Sequence, residues 1–293
     1  MLRWTPSGAV SLPLTVQIRV QQRYPGRVQA GAPLPTRSLS PKELADNIRY
    51  FTVGLRTPRT APCTALVLSG VGVAHRPDVP EAMALARAEG IQRIILHAGT
   101  GDLTGLPLVD FSETVSLLVV PIHGEPAAAL AAIQAAHAAG LAVCANVVLS
   151  AATLPHLPQI AAALAQLGPQ QTNLTYPLPT SERLRTVPEP AEASAAVAAA
   201  VVILEEASRA VNIKGLPVCY LAGLARLIRR TNNRWYVDAD HQQDQALLFF
   251  PGVVSFHKED TCRFCTADAH CDGFFTEYLS RDGFPPLSPL ARG

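Results

Sequence analysis

Short apolar runs alternate with segments of helical period along most of this chain, at a spacing of about 30 residues repeated about six times. Such alternation predicts parallel strands joined by crossover helices, arranged as a partial (β/α) barrel or an open doubly wound sheet. The expected strands are Ser11–Val20, Thr64–Ser69, Arg93–His97, Val115–Pro121, Ala142–Leu149 and Thr172–Tyr176. The first alternates apolar and polar residues; the second, TALVLS, is continuously apolar, as a strand buried on both faces would be. Ser40-Pro41-Lys42-Glu43 carries the signs of a helix start, with Ser40 as N-cap, Pro41 in the first turn and Glu43 closing a capping box, and that helix runs to about Phe51. Further helices are expected over Pro80–Glu89, Pro126–Ala139, Leu157–Leu167 and Ala191–Ala210, three of them ending at or next to a glycine (Gly90, Gly140, Gly168). Gln21–Thr36, rich in Gly and Pro, reads as a long loop.

With 293 residues, 48 % of them hydrophobic, the chain can bury a sizeable core. A net charge of +1 offers no footprint for nucleic acid. Met1-Leu-Arg-Trp-Thr-Pro has no signal-peptide pattern, and apolar runs such as Ala195–Leu204 are too short to span a bilayer. A cytoplasmic protein without membrane contact is expected.

The chemistry concentrates near the C-terminus, where Cys262, Cys265 and Cys271 fall within ten residues. C-x2-C lets two thiolates of one turn reach one metal, and a soft metal or an iron–sulfur cluster takes four such ligands. Cys219 is the candidate fourth ligand, with His257 and His270 as substitutes in a mixed site. A disulfide scaffold does not suit so few cysteines in a chain of this size. By softness the four thiolates fit zinc or a cluster.

The order of these features resembles the radical SAM superfamily over most of the chain. Leu66-Val-Leu-Ser-Gly70-Val-Gly72-Val73-Ala-His75-Arg76-Pro77-Asp78 looks like that family's second strand and its tail, and Ile91–Thr100 like the third. Cys219, Cys262, Cys265 and Cys271, trailed by Gly273, Tyr278, Gly283 and Pro286, look like an auxiliary-cluster segment. The resemblance implies an α/β fold, a partial (β/α)6 TIM-like barrel over residues 1–212, with a small cysteine-rich appendage over 213–293. It also tips the metal to a [4Fe–4S] cluster. The departures concern SAM. Val20, Tyr24 and Arg27 stand where the family has C-x3-C-x2-C, and no cysteine precedes Cys63. Gly72-Val73 stands where a Glu-Pro contact to SAM is usual. With two parts of the SAM apparatus missing together, SAM is not expected as a cofactor.

Other polar residues read as structural. Cys63 and Cys144 are core cysteines by their apolar neighbours. His75, His97 and His123 follow or end strands and read as satisfied histidines. Asp238-Ala-Asp240-His241 reads as a solvated loop, and Arg229-Arg230 with Asn232-Asn233-Arg234-Trp235 as a solvated turn beside a packed Trp. From Pro126 to Ser181 there is no Asp, Glu, Lys or Arg. Two expected helices there would present Ala127, Ala131, Gln134, Ala135 and Ala161, Ala162, Ala165, Gln166 without charge, a surface suited to a protein partner or a homodimer. The expected function is a pseudoenzyme: a cluster-binding, SAM-less subunit that supports a partner enzyme acting on a peptide. The alternatives are a redox or radical enzyme using the C-terminal cluster for electron transfer, and a zinc-stabilised binding scaffold.

Overall fold

A computed structural model describes residues 3–5, 8–10, 13–23, 36–54, 62–177, 179, 187–229, 233–249, 256–280 and 287–290. In chain order the strands are β1 (Arg3–Thr5), β2 (Gly8–Val10), β3 (Thr15–Arg23), β4 (Thr36–Ser38), β5 (Ala65–Gly70), β6 (Arg93–His97), β7 (Leu117–Ile122), β8 (Val143–Val148), β9 (Gln171–Thr175), β10 (Val211–Lys214), β11 (Arg234–Val237), β12 (Leu247–Phe249), β13 (Phe256–His257) and β14 (Phe274–Phe275). The helices are α1 (Pro41–Arg49), α2 (Val79–Ala88), α3 (Thr100–Leu103), α4 (Ala127–Ala138), α5 (Leu157–Leu167), α6 (Pro190–Glu206) and α7 (Thr276–Leu279). The fold is α/β, a mostly parallel sheet of alternating β/α units. No described helix is long and apolar enough to cross a membrane.

The chain forms two compact units: Met1–Val120 with Ala135–Ala142 and Asn233–Phe249, and Pro121–Gln134 with Val143–Asn232 and Phe250–Gly293. In the first, β3, β5, β6 and β7 run parallel in that order, and β11 pairs in parallel with the other edge of β3. β5 is apolar throughout its middle because both faces are covered: Leu66 and Leu68 are fully buried, as are Ile18, Ile94 and Leu44 around them. α1 starts as the sequence predicts. The Ser40 side chain accepts from the Glu43 amide, and the Glu43 carboxylate accepts from the Ser40 amide at 2.7 Å. In the second unit β8, β9 and β10 run parallel, and α5 and α6 pack on each other through Ile160, Leu164, Val197, Leu204 and their neighbours. α5 stops at Gly168, whose φ of +67° is the left-handed cap that glycine adopts without a Cβ clash.

The structure corrects the sequence reading at several places. Part of the expected loop Gln21–Thr36 is strand: β3 continues to Arg23 and β4 pairs antiparallel with it, while residues 24–35, including Tyr24 and Arg27, lie outside the described residues. Arg234–Val237 is a strand rather than a turn. Val237 is fully buried, and Trp235 packs on Phe51 with ring centroids 5.8 Å apart. β10 is a further parallel strand, with Val211 and Ile213 buried, too short to stand out in the sequence. Asp238 is buried, not solvated. It accepts from the Asp240 and His241 amides at 2.9 Å and meets His241 Nδ1 at 2.9 Å, which closes a self-contained turn.

Candidate metal centre

A short antiparallel pair frames the cysteine loop. β13 and β14 join Phe256 to Phe275 and His257 to Phe274, and the Phe256 and Phe275 rings stack at 4.5 Å. Behind it, Tyr176, Phe274 and Tyr278 form a buried aromatic cluster with centroids 5.4 to 5.5 Å apart. Its hydroxyls are satisfied: Tyr176 donates to Pro188 O at 2.6 Å and Tyr278 to Pro177 O at 2.9 Å. The loop therefore rests on rigid aromatic packing at the end of β9.

On that base, the turn Asp260–Phe264 carries Cys262 and ends at Cys265, whose amide donates to Cys262 O at 2.9 Å. This tight turn is what C-x2-C spacing permits. A second turn, Asp268–His270, delivers Cys271, and Lys258 Nζ pins the intervening loop by an ion pair with Asp268 at 2.8 Å. Cys219 arrives separately, in the turn Val218–Tyr220 after β10. All four thiols are half-buried and line one cavity with Pro217, Val218 and Leu287. Its volume is ≈ 20 Å³, about the room of one water molecule. That is too tight for an organic substrate; it has room for a single ion, and a cluster would need the four thiols to move apart.

Two of the thiols accept a backbone hydrogen bond. The Gly273 amide donates to Cys271 Sγ and the Leu290 amide to Cys265 Sγ, both at 3.4 Å. Backbone hydrogen bonding at Ser288 favours the Cys219 thiolate, and at Glu259 the Cys262 thiolate. Against this, burial pushes the Cys219 thiol up, and the nearby Cys271 and Cys262 add to the rise. Burial likewise raises Cys262, with Cys271, Cys265 and Glu259 contributing. Clustered thiols that oppose one another's ionisation and are supplied with amide donors need a cation between them to ionise together. The donor set thus fits a thiolate-bound metal group. Among the described residues no three His, Cys, Asp or Glu side chains already stand in the arrangement of a single metal ion. A metal group would therefore need the four thiols to rearrange around it.

The other sequence candidates lie elsewhere. His257 is exposed on β13 and is not part of the cavity wall; the side chain of His270 lies outside the described residues. Cys63 and Cys144 are core residues, 3 % and 1 % exposed, and burial pushes their thiols up to about 12 and about 11. His75, His97 and His123 are exposed. Gly283 and Pro286 lie outside the described residues.

Two residues given no structural role in the sequence reading, Arg76 and Asp102, organise the strand ends of the first unit. Arg76 ion-pairs with Asp78 and donates to Val20 O at 3.2 Å and Leu39 O at 2.8 Å, tying the turn after β5 to β3 and to the approach to α1. Asp102 accepts from the Gly72 amide at 3.0 Å and the Gly99 amide at 3.1 Å, so one carboxylate holds the glycines after β5 and β6. The only signal in the sequence was Asp102 three residues beyond Gly99, an N-terminal capping spacing.

No protein-family model matches the chain, and no curated protein matches it in sequence. Solved structures do match. Streptococcus suis SuiB bound to S-adenosylmethionine superposes with a TM-score of 0.61 at 7 % identity, over 93 % of this chain and 75 % of that one. SuiB bound to precursor peptide SuiA gives 0.55 at 8 % identity, over 79 % of this chain and 59 % of that one, so in this match the chain spans about three-fifths of SuiB's length. At such identity the likeness speaks for the fold: a mostly parallel α/β sheet of the kind seen in the radical SAM partial barrel.

Proposed function

We propose that this chain is a radical-SAM-like protein without SAM cleavage that holds a [4Fe–4S] cluster on Cys219, Cys262, Cys265 and Cys271 and supports a partner enzyme acting on a peptide. The observation that carries the reading is the convergence of four thiols, from two separate stretches, on one cavity, with backbone amides donating to Cys265 and Cys271. Amide hydrogen bonds to the sulfurs are among the features that set a cluster's potential. When bound, the cluster would supply a one-electron carrier; the chain's part is to ligate it, shield it with Leu287 and Pro217, and brace it on the aromatic base. The loss of SAM chemistry is supported by the buried Val20 in the strand where the first cluster cysteine is expected, and by Asp102, which already occupies the Gly72 and Gly99 amides. A peptide as the object of the partner's chemistry is supported by the fold's likeness to SuiB, which has been seen with its precursor peptide.

Purification without oxygen tests both halves. The protein is expected brown, with iron and sulfide in equal amounts. Cys262→Ser or Cys219→Ser should bleach it, while Cys63→Ala should leave the colour. Colourless protein with one zinc per chain would overturn the cluster and favour the zinc scaffold. Incubated with SAM and a reductant, the wild type should give no 5′-deoxyadenosine above a protein-free control; a burst of it would restore SAM chemistry.

A further inference from the structure

A second cavity, of ≈ 340 Å³, is built wholly from the first unit, and none of the four cysteines lines it. It opens between the start of α2 and the turn Leu108–Phe111. Pro77, Pro80 and Pro107 form walls, Met83 and Phe111 are buried at its floor, and Asp110 is exposed at its lip. Val109, beside Asp110, is 61 % exposed and extends the apolar surface outward. The size is that of a ligand pocket rather than a packing defect.

Its lining is mostly apolar; the polar members are His75, Arg76, Asp110 and Thr114, and Asp110 is the one acidic residue among them. Three prolines bring no amide donors to the walls. The arginine that lines the cavity is committed elsewhere: Arg76 ion-pairs with Asp78 and donates to two backbone carbonyls. Arg87, farther along α2, spends its guanidinium on the carbonyls of Ile91 and Thr114 and on Ser116 Oγ. Among the described residues the Asp110 carboxylate has no ion pair or hydrogen bond. Exposed Glu81 and Glu113 flank the lining residues Pro80 and Thr114 in sequence. An apolar pocket with unpaired negative charge at its mouth selects a ligand apolar in body and cationic at one end.

We infer that this groove binds a peptide segment in which a large apolar side chain neighbours a lysine or arginine. The apolar side chain enters between the prolines onto Met83 and Phe111, and the cation meets Asp110. The inference does not depend on what the cysteines hold, because the two sites share no residue.

Met83 is one of only two methionines in the chain, the other being Met1, so methyl-labelled methionine gives a reporter at the cavity floor. The probe is acetyl-Gly-Phe-Lys-Leu-Lys-Gly-amide, with a twin carrying glutamate for lysine, titrated at low salt. The Met83 resonance should shift saturably with the basic peptide and stay still with the acidic twin. Asp110→Lys should weaken binding by about tenfold or more, and Asp110→Asn by less, as expected for one charged contact at an exposed lip. An unmoved Met83 signal overturns the inference, as does equal binding of the acidic twin or unchanged affinity in folded Asp110→Lys. If phenethylamine shifts Met83 and the peptide does not, the site takes a small amine and the peptide is excluded.

Discussion

Ser40 and Glu43 close the first turn of α1 on each other, and Glu43 Oε1 also accepts from Gln242 Nε2 at 3.2 Å. Hydrogen bonds from the Ser40 amide and hydroxyl, then from Gln242, bring the Glu43 pKa to about 2 from an ordinary 4.5. The folded value lies below the unfolded one, so this contribution is complete above pH 4.5 and is lost as pH falls towards 2. The carboxylate is half-buried, so solvent still screens part of it. Glu43→Gln should therefore lower the urea midpoint at neutral pH and flatten its decline through that acid window. A decline as steep as that of the wild type would assign it to other carboxylates. Ser40→Ala should cost about 1 kcal/mol at neutral pH, the usual cost of a lost N-cap. At the same scale lies the difference between the two classes of cysteine. Cys63 and Cys144 are governed by burial, with Asn173 Nδ2 donating to Cys144 Sγ at 3.2 Å and Lys214 acting on it weakly, and no thiol contributes to either, whereas Cys219 and Cys262 sense Cys271.

The β13–β14 pair works only because Gly273 stands directly before β14. Its φ is +85°, and a methyl group there would overlap the His257 carbonyl oxygen on the facing strand. Left-handed backbone alone costs a non-glycine residue about 1–3 kcal/mol, and the overlap adds to it. Gly273 also donates its amide to Cys271 Sγ, so the strain falls on one of the four proposed ligands. Gly273→Ala should strip metal from the protein while the far-UV signal of the β/α units persists. Gly223→Ala, where an added methyl meets nothing, is the matched control and should keep its metal. Equal metal content in the two variants would show that the hairpin does not position Cys271.

At the scale of the whole molecule, the uncharged stretch from Pro126 to Ser181 has its effect on the surface. Ala127, Ala131 and Gln134 of α4 are exposed, as are Ala162 and Gln166 of α5. Ala161 is buried at 2 % exposure and Ala165 is half-buried, because α5 uses that side against its neighbours, so the bare face is narrower than the sequence suggests. A helix face depleted of charge suits a second copy of the chain or a partner subunit. The expected result is a dimer in sedimentation at micromolar concentration, returned to monomer by Ala131→Glu with Ala162→Glu. A wild-type monomer whose solubility and co-purifying proteins are unchanged by the pair would make this face plain solvent surface.

Periodicity alone determined the parallel α/β architecture, because strands covered on both faces must be apolar throughout and the helices between them must be striped. It also determined the start of α1, since a capping box is a local pattern, and it singled out Cys262 and Cys265, since C-x2-C is one. It could not determine that Arg234–Val237 returns to pair with β3, because a four-residue strand has no period to read and its partner lies over two hundred residues away. Nor could it determine that one carboxylate, Asp102, holds two glycines; it offered Cys219 as the partner of the C-terminal cysteines, but not the shared cavity that the four line. Those depend on where β5, β6 and β10 end in space, which only the packed sheet decides. The groove beside Met83 was illegible for the same reason: its walls come from separate stretches of sequence and become a pocket only when α2 and the turn Leu108–Phe111 flank the same sheet.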